Sequence, residues 1–153
     1  MAATAFSNFD SLMWWTTSFP GRVLSATNHA IGGAFVAPAA KAITHVVIPC
    51  SAISSPDAFT VRLESLSSGL PTGTVLGSTS TAWTPVVGCT EVALGSSYTP
   101  AAGEAFAATI KYGTTGSATI IGNAANSLAP YTVRDATGTG WAITTAPPGI
   151  GVK

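Results

Sequence analysis

A chain of 153 residues has the length of one domain that can bury its own core. Charged residues make up 8% of it, far below the ~25% that is usual for soluble domains, and six basic residues balance six acidic ones. We expect neither nucleic acid nor a membrane as a partner, because such a surface lacks the positive charge that both attract. Zero net charge favours self-association instead, so we expect a homo-oligomer, with a trimer as one option.

Residues 1–20 lack the alternation of polar and apolar positions and are predicted to form an N-terminal arm in front of one domain at 21–153. The arm carries a cluster of large apolar side chains: Met13, Trp14, Trp15 and Phe19. Adjacent side chains of an extended chain point to opposite faces, so one core cannot easily take both indoles.

Three interpretations of this tryptophan pair are open: a sugar platform, a clamp onto the chain's own domain, and an anchor in another protein. Few polar groups accompany the rings, whereas buried aromatic side chains are the usual anchors of protein interfaces. We therefore favour an arm in which one indole packs onto its own domain and the other enters a neighbouring protein.

Strand patterns fill the rest of the chain. In Ala58–Leu66 the positions of Phe59, Val61 and Leu63 alternate with polar ones, and Glu104–Tyr112 repeats this pattern. Turns rich in Gly, Pro and Ser separate these strands from eight further candidates: Ala30–Ala37, Ala42–Ile48, Thr74–Ser78, Thr90–Leu94, Ala118–Gly122, Tyr131–Val133, Trp141–Thr144 and Ile150–Val152. The sequence predicts an all-β fold, an antiparallel and jelly-roll-like β-sandwich of about eight to ten short strands.

No segment indicates export or membrane insertion. The most apolar window, 30–49, contains Lys41 and His45 and is broken by Pro38, so it is interpreted as two strands. The N-terminus lacks the basic region of a signal peptide. Cys50 and Cys89 lack CxxC spacing, which favours two buried free thiols over a disulfide or a metal pair.

Catalytic and metal-binding signatures are not found. Each acid has a turn or a solvent-face explanation, Glu64 and Glu91 being expected as outward charges on alternating strands. His29 and His45 stand alone, without zinc-ligand spacing, and no GxSxG motif occurs. A Ser-His-Asp triad assembled through space leaves no spacing to read, and nothing supports one. We expect a protein that is not an enzyme and uses no metal or cofactor. Trp83 and Trp141 are interpreted as plugs at the edge of the core.

Three stretches carry a resemblance to a known type of module: "VRLESLSSGLPTGTVLGSTS" (61–80), "SSYTPAAGEAFAATIKYG" (96–113) and "GWAITTAPPGIGVK" (140–153). Their order of strands and turns, over about 28–152, resembles a β-sandwich module of bacteriophage and other virion proteins. The resemblance implies a non-enzymatic structural protein, such as a capsid decoration (cement) protein or a small head or tail accessory protein. It also implies assembly in the host cytoplasm into a virion, with other capsid or tail proteins as partners.

The same outline also resembles carbohydrate-binding sandwiches and anchored cell-surface proteins. The alternative function is therefore a carbohydrate- or receptor-binding module of tail-fibre or adhesin type, whose polar loops touch a host glycan. The candidate ligand residues lie in two loops: Ser67, Ser68 and Thr72 in the first, Thr114 and Thr115 in the second.

Overall fold

The structure, a computed structural model, describes residues 6–7, 21–121, 132–135, 140–144 and 149–153. These residues form short strands that pair antiparallel throughout, and two sheets pack against each other as the predicted β-sandwich. The strands are β1 (Phe6–Ser7), β2 (Gly21–Leu24), β3 (Ala30–Val36), β4 (Ile43–Ser54), β5 (Phe59–Ser67), β6 (Leu70–Val75), β7 (Thr81–Trp83), β8 (Gly88–Tyr98), β9 (Ala105–Lys111), β10 (Ser117–Ile121), β11 (Thr132–Asp135), β12 (Ala142–Thr144) and β13 (Gly151–Val152).

Sheet A has the strand order β1-β13-β4-β10-β2, and sheet B has the order β12-β11-β3-β9-β5-β6. In sheet A, β8 pairs with the other side of β4; in sheet B, β7 pairs with β5 beside β6. One side of β4 serves two strands in turn, β13 at Val46–Val47 and β10 from Cys50 to Ser54.

Strand alternation sends the large apolar side chains between the sheets. Phe59 and Leu63 of β5 and Phe106 of β9 are fully buried there. Phe106 stacks on Phe35 with ring centroids 5.5 Å apart. Trp83 ends β7 against the edge of Phe59, 6.4 Å between centroids, and is 6% exposed, as expected of a core plug.

The hairpin between β5 and β6 is tighter than predicted. β6 begins at Leu70 rather than at Thr74, because the turn consists of Ser68 and Gly69 alone. Both residues have positive φ, 52° and 78°, as a two-residue hairpin turn matching the strand twist requires. Pro71 is tolerated because β6 pairs only with β5 among the described strands.

β4 is longer than predicted and runs through Pro49 to Ser54. A proline has no N–H to give to a ladder. Pro49 falls between the β13 pairing, which ends at Val47, and the β10 pairing, which begins at Cys50. The missing donor therefore costs sheet A little, and the strand continues.

The predicted arm is tied to sheet A at both ends. Ser7 pairs with Gly151 of β13, which pairs in turn with Val47 of β4. Arg22 pairs with Ile120 of β10, which pairs in turn with Cys50 of β4. Gly21 thus follows Ser7 along the edge of the sheet by about two residue positions, roughly 7 Å. The two strands that flank the segment 8–20 therefore lie at one edge of the sheet. The segment contains Met13, Trp14, Trp15 and Phe19, which lie outside the described residues.

The two cysteines are free, but only one is buried, so the prediction of two buried thiols is wrong for Cys89, which is exposed. In the pairing of β4 with β8, Cys50 lies opposite Gly88 and Pro49 opposite Cys89. This offset of one residue places the thiols on opposite faces of sheet A. Burial raises the pKa of the Cys50 thiol.

Candidate functional site

The outer face of sheet B carries an ordered set of small side chains. Three cross-strand rows run over β3, β9 and β5. They are Ala34, Ala107 and Glu64; Gly32, Thr109 and Arg62; and Ala30, Lys111 and Thr60. Most of these residues are small and buried, with Ala30 6% exposed and Ala107 and Thr109 0% exposed. The three rows are here called the sheet B trough.

Glu64 is the centre of a buried ionic cluster at this trough. Its Oε1 accepts hydrogen bonds from Arg62 Nε at 2.8 Å and Thr109 Oγ1 at 2.9 Å, and lies 3.6 Å from Lys111 Nζ. Its Oε2 accepts a hydrogen bond from the Gly73 amide at 2.8 Å. With its lone pairs occupied by fixed donors, the carboxylate holds two cations and the β6 backbone in place.

The expectation of a solvated Glu64 is wrong, since its side chain has an exposed fraction of 0%. It does point outward, as the alternation predicts, but Ala107 beside it is too small to lift it off the sheet. The backbone at Gly73 then closes over it. Arg62 two positions earlier was a visible signal of a partner; the contacts from Gly73 and Thr109 are non-local and left no trace in the sequence.

Two cations reach the surface at the sheet B trough. The side chains of Arg62 and Lys111 are 18% and 35% exposed, whereas the carboxylate between them is buried. Asp135 of β11 pairs with Ala30 and so belongs to the row of Lys111. Two acids therefore accompany the two cations in these rows.

Trp141 lies on the same outer face, which corrects its interpretation as a core plug. Its ring reaches within 3.8 Å of the point where a Cβ on Gly32 would stand. That Cβ would also come within 3.2 Å of Thr109 Cγ2, so the absence of a side chain at Gly32 makes room for the indole. A glycine inside a strand pattern signals such a close approach. Trp141 is half-buried, so part of its surface stays open.

An apolar cavity of about 320 Å³ opens at the end of this face beside the β5–β6 turn. Ala34, Val36, Leu66 and Ala105 contribute to its lining, together with Phe35 and the turn residues Ser68 and Gly69. Through Ala34 it adjoins the sheet B trough.

The first predicted ligand loop lies partly at this cavity. Ser67 ends β5, and Ser68 stands in the turn that lines the cavity. Thr72 is within β6, where its hydroxyl lies 2.6 Å from that of Ser65.

The second predicted loop lies at the other end of β5. Thr114 donates hydrogen bonds from its amide and its hydroxyl to the carboxylate of Asp57, just before β5, and the carbonyl of Thr115 accepts one from the Asp57 amide at 3.4 Å. β5 separates the two loops by eight residue steps, roughly 26 Å. They cannot contact one small ligand together.

The Asp57 contact fastens the loop at 113–116. A Cβ on Gly113 would stand 2.2 Å from Asp57 Oδ1, so only glycine fits there. The Thr114 hydroxyl, as the main cause, lowers the pKa of Asp57. Thr114 is therefore engaged in holding the loop.

The two histidines each have a local partner in the described part of the chain. His29 Nδ1 accepts a hydrogen bond from the Ser25 amide at 3.1 Å, and His45 Nδ1 lies 2.8 Å from the Thr44 hydroxyl. Within residues 6–7, 21–121, 132–135, 140–144 and 149–153, no three His, Cys, Asp or Glu side chains converge as a metal site needs. Those same residues contain no helix with the length and apolarity to cross a membrane.

Comparison with known protein families, with curated proteins and with solved structures gave no match to this chain. The class that the fold defines is an antiparallel β-sandwich, with a buried ionic cluster on one outer face. Its function has to be inferred from its own residues.

We predict that Glu64→Gln lowers the free energy of unfolding by about 3 kcal/mol, because breaking a buried ion pair strands its partners. Arg62, Thr109 and Gly73 would each face a weaker acceptor or an amide donor. Urea denaturation would measure the loss. Glu91→Gln is the matched control: Glu91 pairs with Lys153 at 2.7 Å but is 36% exposed, and its removal should cost much less. Equal losses would contradict a structural role for the buried cluster.

We also predict that Asp57→Asn lowers the melting temperature at neutral pH but has little effect in strong acid. Because the pKa of Asp57 is lower in the folded chain than its ordinary 3.8, the carboxylate stabilises the fold fully above that value and progressively loses this effect as pH falls through the folded pKa. Wild type should melt above Asp57→Asn at neutral pH, and the gap should close in strong acid. Thr114→Val should reproduce part of the neutral-pH loss. A gap independent of pH would contradict the assignment.

Proposed function

We propose that the chain is a non-enzymatic structural protein of a virion, of the capsid decoration (cement) type or a small head or tail accessory protein. It would dock onto other virion proteins through the segment 8–20 and through its sandwich edges. The resemblance of its turn and strand order to virion modules supports this proposal. So does its low charge, which suits a surface that is largely covered in an assembly.

The single observation that carries the docking role is the double attachment of the N-terminal segment. Ser7 and Gly21 lie roughly 7 Å apart on one edge of sheet A, through their pairing with β13 and β10. A segment with four large apolar side chains is thereby joined to the rigid body at both ends. Fixing both ends lowers the entropy that the segment loses on binding, which favours an anchor.

The proposed mechanism is geometric. The sandwich supplies a stiff body, the segment 8–20 enters a groove of the neighbouring virion protein, and the loops at the far end face outward. Trp14 or Trp15 would be the main anchor, since tryptophan is enriched among interface residues with large binding contributions.

We predict that replacing residues 9–19 by a Gly/Ser segment of equal length gives a folded protein that does not enter particles. This replacement keeps β1 and β2, whereas removal of residues 1–20 would also remove the pairing of β1 with β13. Incorporation would be measured by mass spectrometry of particles made from the encoding genome. Trp14→Ala and Trp15→Ala should each reduce it. Val36→Ser, an exposed residue of sheet B, is the control and should enter normally. Normal incorporation of the Gly/Ser variant would overturn the anchor role.

A second candidate function is binding of a host glycan, and the position of Trp141 favours it. Aromatic rings stack on the apolar faces of sugars while polar groups beside them fix the orientation. Trp141 lies over Gly32, which belongs to the same cross-strand row as Thr109 and Arg62. The positive charge of Arg62 and Lys111 suits a glycan that carries carboxylate or sulfate groups.

We predict that, under this candidate function, a glycan array detects acidic oligosaccharides, with binding that weakens as salt is raised because it depends on Lys111 and Arg62. Trp141→Ala should abolish this binding, and Trp14→Ala should leave it intact. Particle incorporation should show the opposite pattern for the same two variants. The two functions are thereby separated, and an array without signal would remove the second candidate.

A further inference from the structure

β8 (Gly88–Tyr98) forms an open edge of sheet A. Within the described part of the chain it pairs only with β4. One point of its other side is occupied: the Gly95 amide donates to the Thr79 carbonyl at 3.2 Å. A Cβ on Gly95 would stand 2.6 Å from the Ser80 carbonyl oxygen. The open stretch is therefore residues 88–94.

This edge lacks the usual protections against pairing with another chain. Natural edges carry lysine, proline or uncompensated charge. The stretch 88–94 contains neither lysine nor proline, and the carboxylate of its single charge, Glu91, is paired with Lys153 Nζ at 2.7 Å. Directly before it stand Val86 and Val87, which are 48% and 62% exposed. Such an apolar, neutral edge favours strand addition.

We propose that this edge pairs antiparallel with the same edge of a second copy of the chain, around a two-fold axis, and joins the two A sheets into one. A zero net charge makes the chain compatible with itself, and two-fold pairing of one patch with its own copy is the commonest form of homo-oligomer. The inference goes beyond the proposed function, because such a dimer does not depend on a particle.

The faces of β8 and the charge of Glu91 restrict which residues of the two copies can lie opposite each other. Val92 faces the core, so Cys89, Glu91 and Ala93 share the outer face of sheet A. Residues directly opposite each other must share a face, so the axis lies level with a residue.

Three of the possible axis positions are unfavourable. An axis at Glu91 opposes two carboxylates, and like charges directly opposite destabilise a sheet. An axis at Val92 brings Cys89 against Gly95 of the second copy, where the segment 78–80 occupies the edge. An axis at Cys89 leaves only residues 88–90 to pair, because β8 begins at Gly88.

An axis at Thr90 pairs residues 88–92 of the two copies, so that no two carboxylates lie directly opposite each other. The two Glu91 residues are diagonal neighbours, and each carboxylate is paired with a Lys153 of its own chain. Val86 and Val87, just before β8, then lie near the second copy's Ala93 and Leu94. The two Cys89 residues become diagonal neighbours with Cα atoms about 7–8 Å apart. A strand that pairs antiparallel with its own copy requires two-fold symmetry, so this contact makes a dimer and not a trimer.

The first test is the mass in solution, by sedimentation equilibrium over a range of concentrations. The full chain should be a dimer that dissociates on dilution. Val87→Lys, next to the edge, should weaken the association by at least about tenfold, and Ala93→Lys, within the paired strand, should do the same if the first variant folds poorly. Val36→Lys is the matched control, because Val36 is 55% exposed but lies on sheet B, and it should leave the dimer intact. A monomer at all concentrations, or a dimer unaffected by both edge variants, would overturn the proposal.

The second test is a thiol cross-link that reports the register. A bismaleimide that spans about 8 Å should join two chains through Cys89, since Cys89 is exposed and Cys50 is buried. Cys89→Ser should abolish the cross-linked dimer, and Cys50→Ser should preserve it. A dimer that forms without any Cys89 cross-link would exclude an axis at Thr90. Failure of the virion proposal would show in particle incorporation and leave both results unchanged.

Discussion

The pairing of β4 with three other strands is the constraint on which sheet A depends. β8 lies on one side of it, and β13 and β10 share the other. Because β13 and β10 each carry a further strand, the position of β4 also sets the positions of β1 and β2. One strand of twelve residues, β4, thus sets the positions of β1, β2, β13 and the open edge at β8. β1 and β2, which flank the proposed docking segment, lie on one side of β4, and the proposed dimer edge lies on the other.

Charged residues are rare in this chain, and three of its acids each hold a turn or a loop in place. Asp57 holds the loop at Thr114, and Glu64 holds the β6 backbone at Gly73. Glu104 accepts hydrogen bonds from the Ala101 amide and from the Tyr98 hydroxyl, and raises the pKa of Tyr98 to about 12. Each carboxylate thus fixes a turn that hydrophobic burial alone leaves free. The arrangement of side chains at the sheet B trough depends on one of these acids, since Glu64 positions Arg62 and Lys111.

The sequence alone predicted those parts of the fold in which apolar and polar residues alternate regularly along a strand. The alternation in β5 and β9 predicted which side chains enter the core, because a strand has one period and its inner face must be apolar. β2 was missed because four residues, only one of them buried, are too few to show a period. The burial of Glu64 and the outward position of Trp141 depend on strands distant in sequence. Pairing register decides such contacts, and no single stretch encodes it.

The pairing of Phe6 with Val152 gives the chain a further property. The strands β1 and β13 run side by side, so the two ends of the fold lie close together. A short peptide could join these strands, and new termini could be opened at the exposed turn around Gly103, whose φ of 83° marks a bend outside the sheets. Domains with neighbouring ends tolerate such permutation.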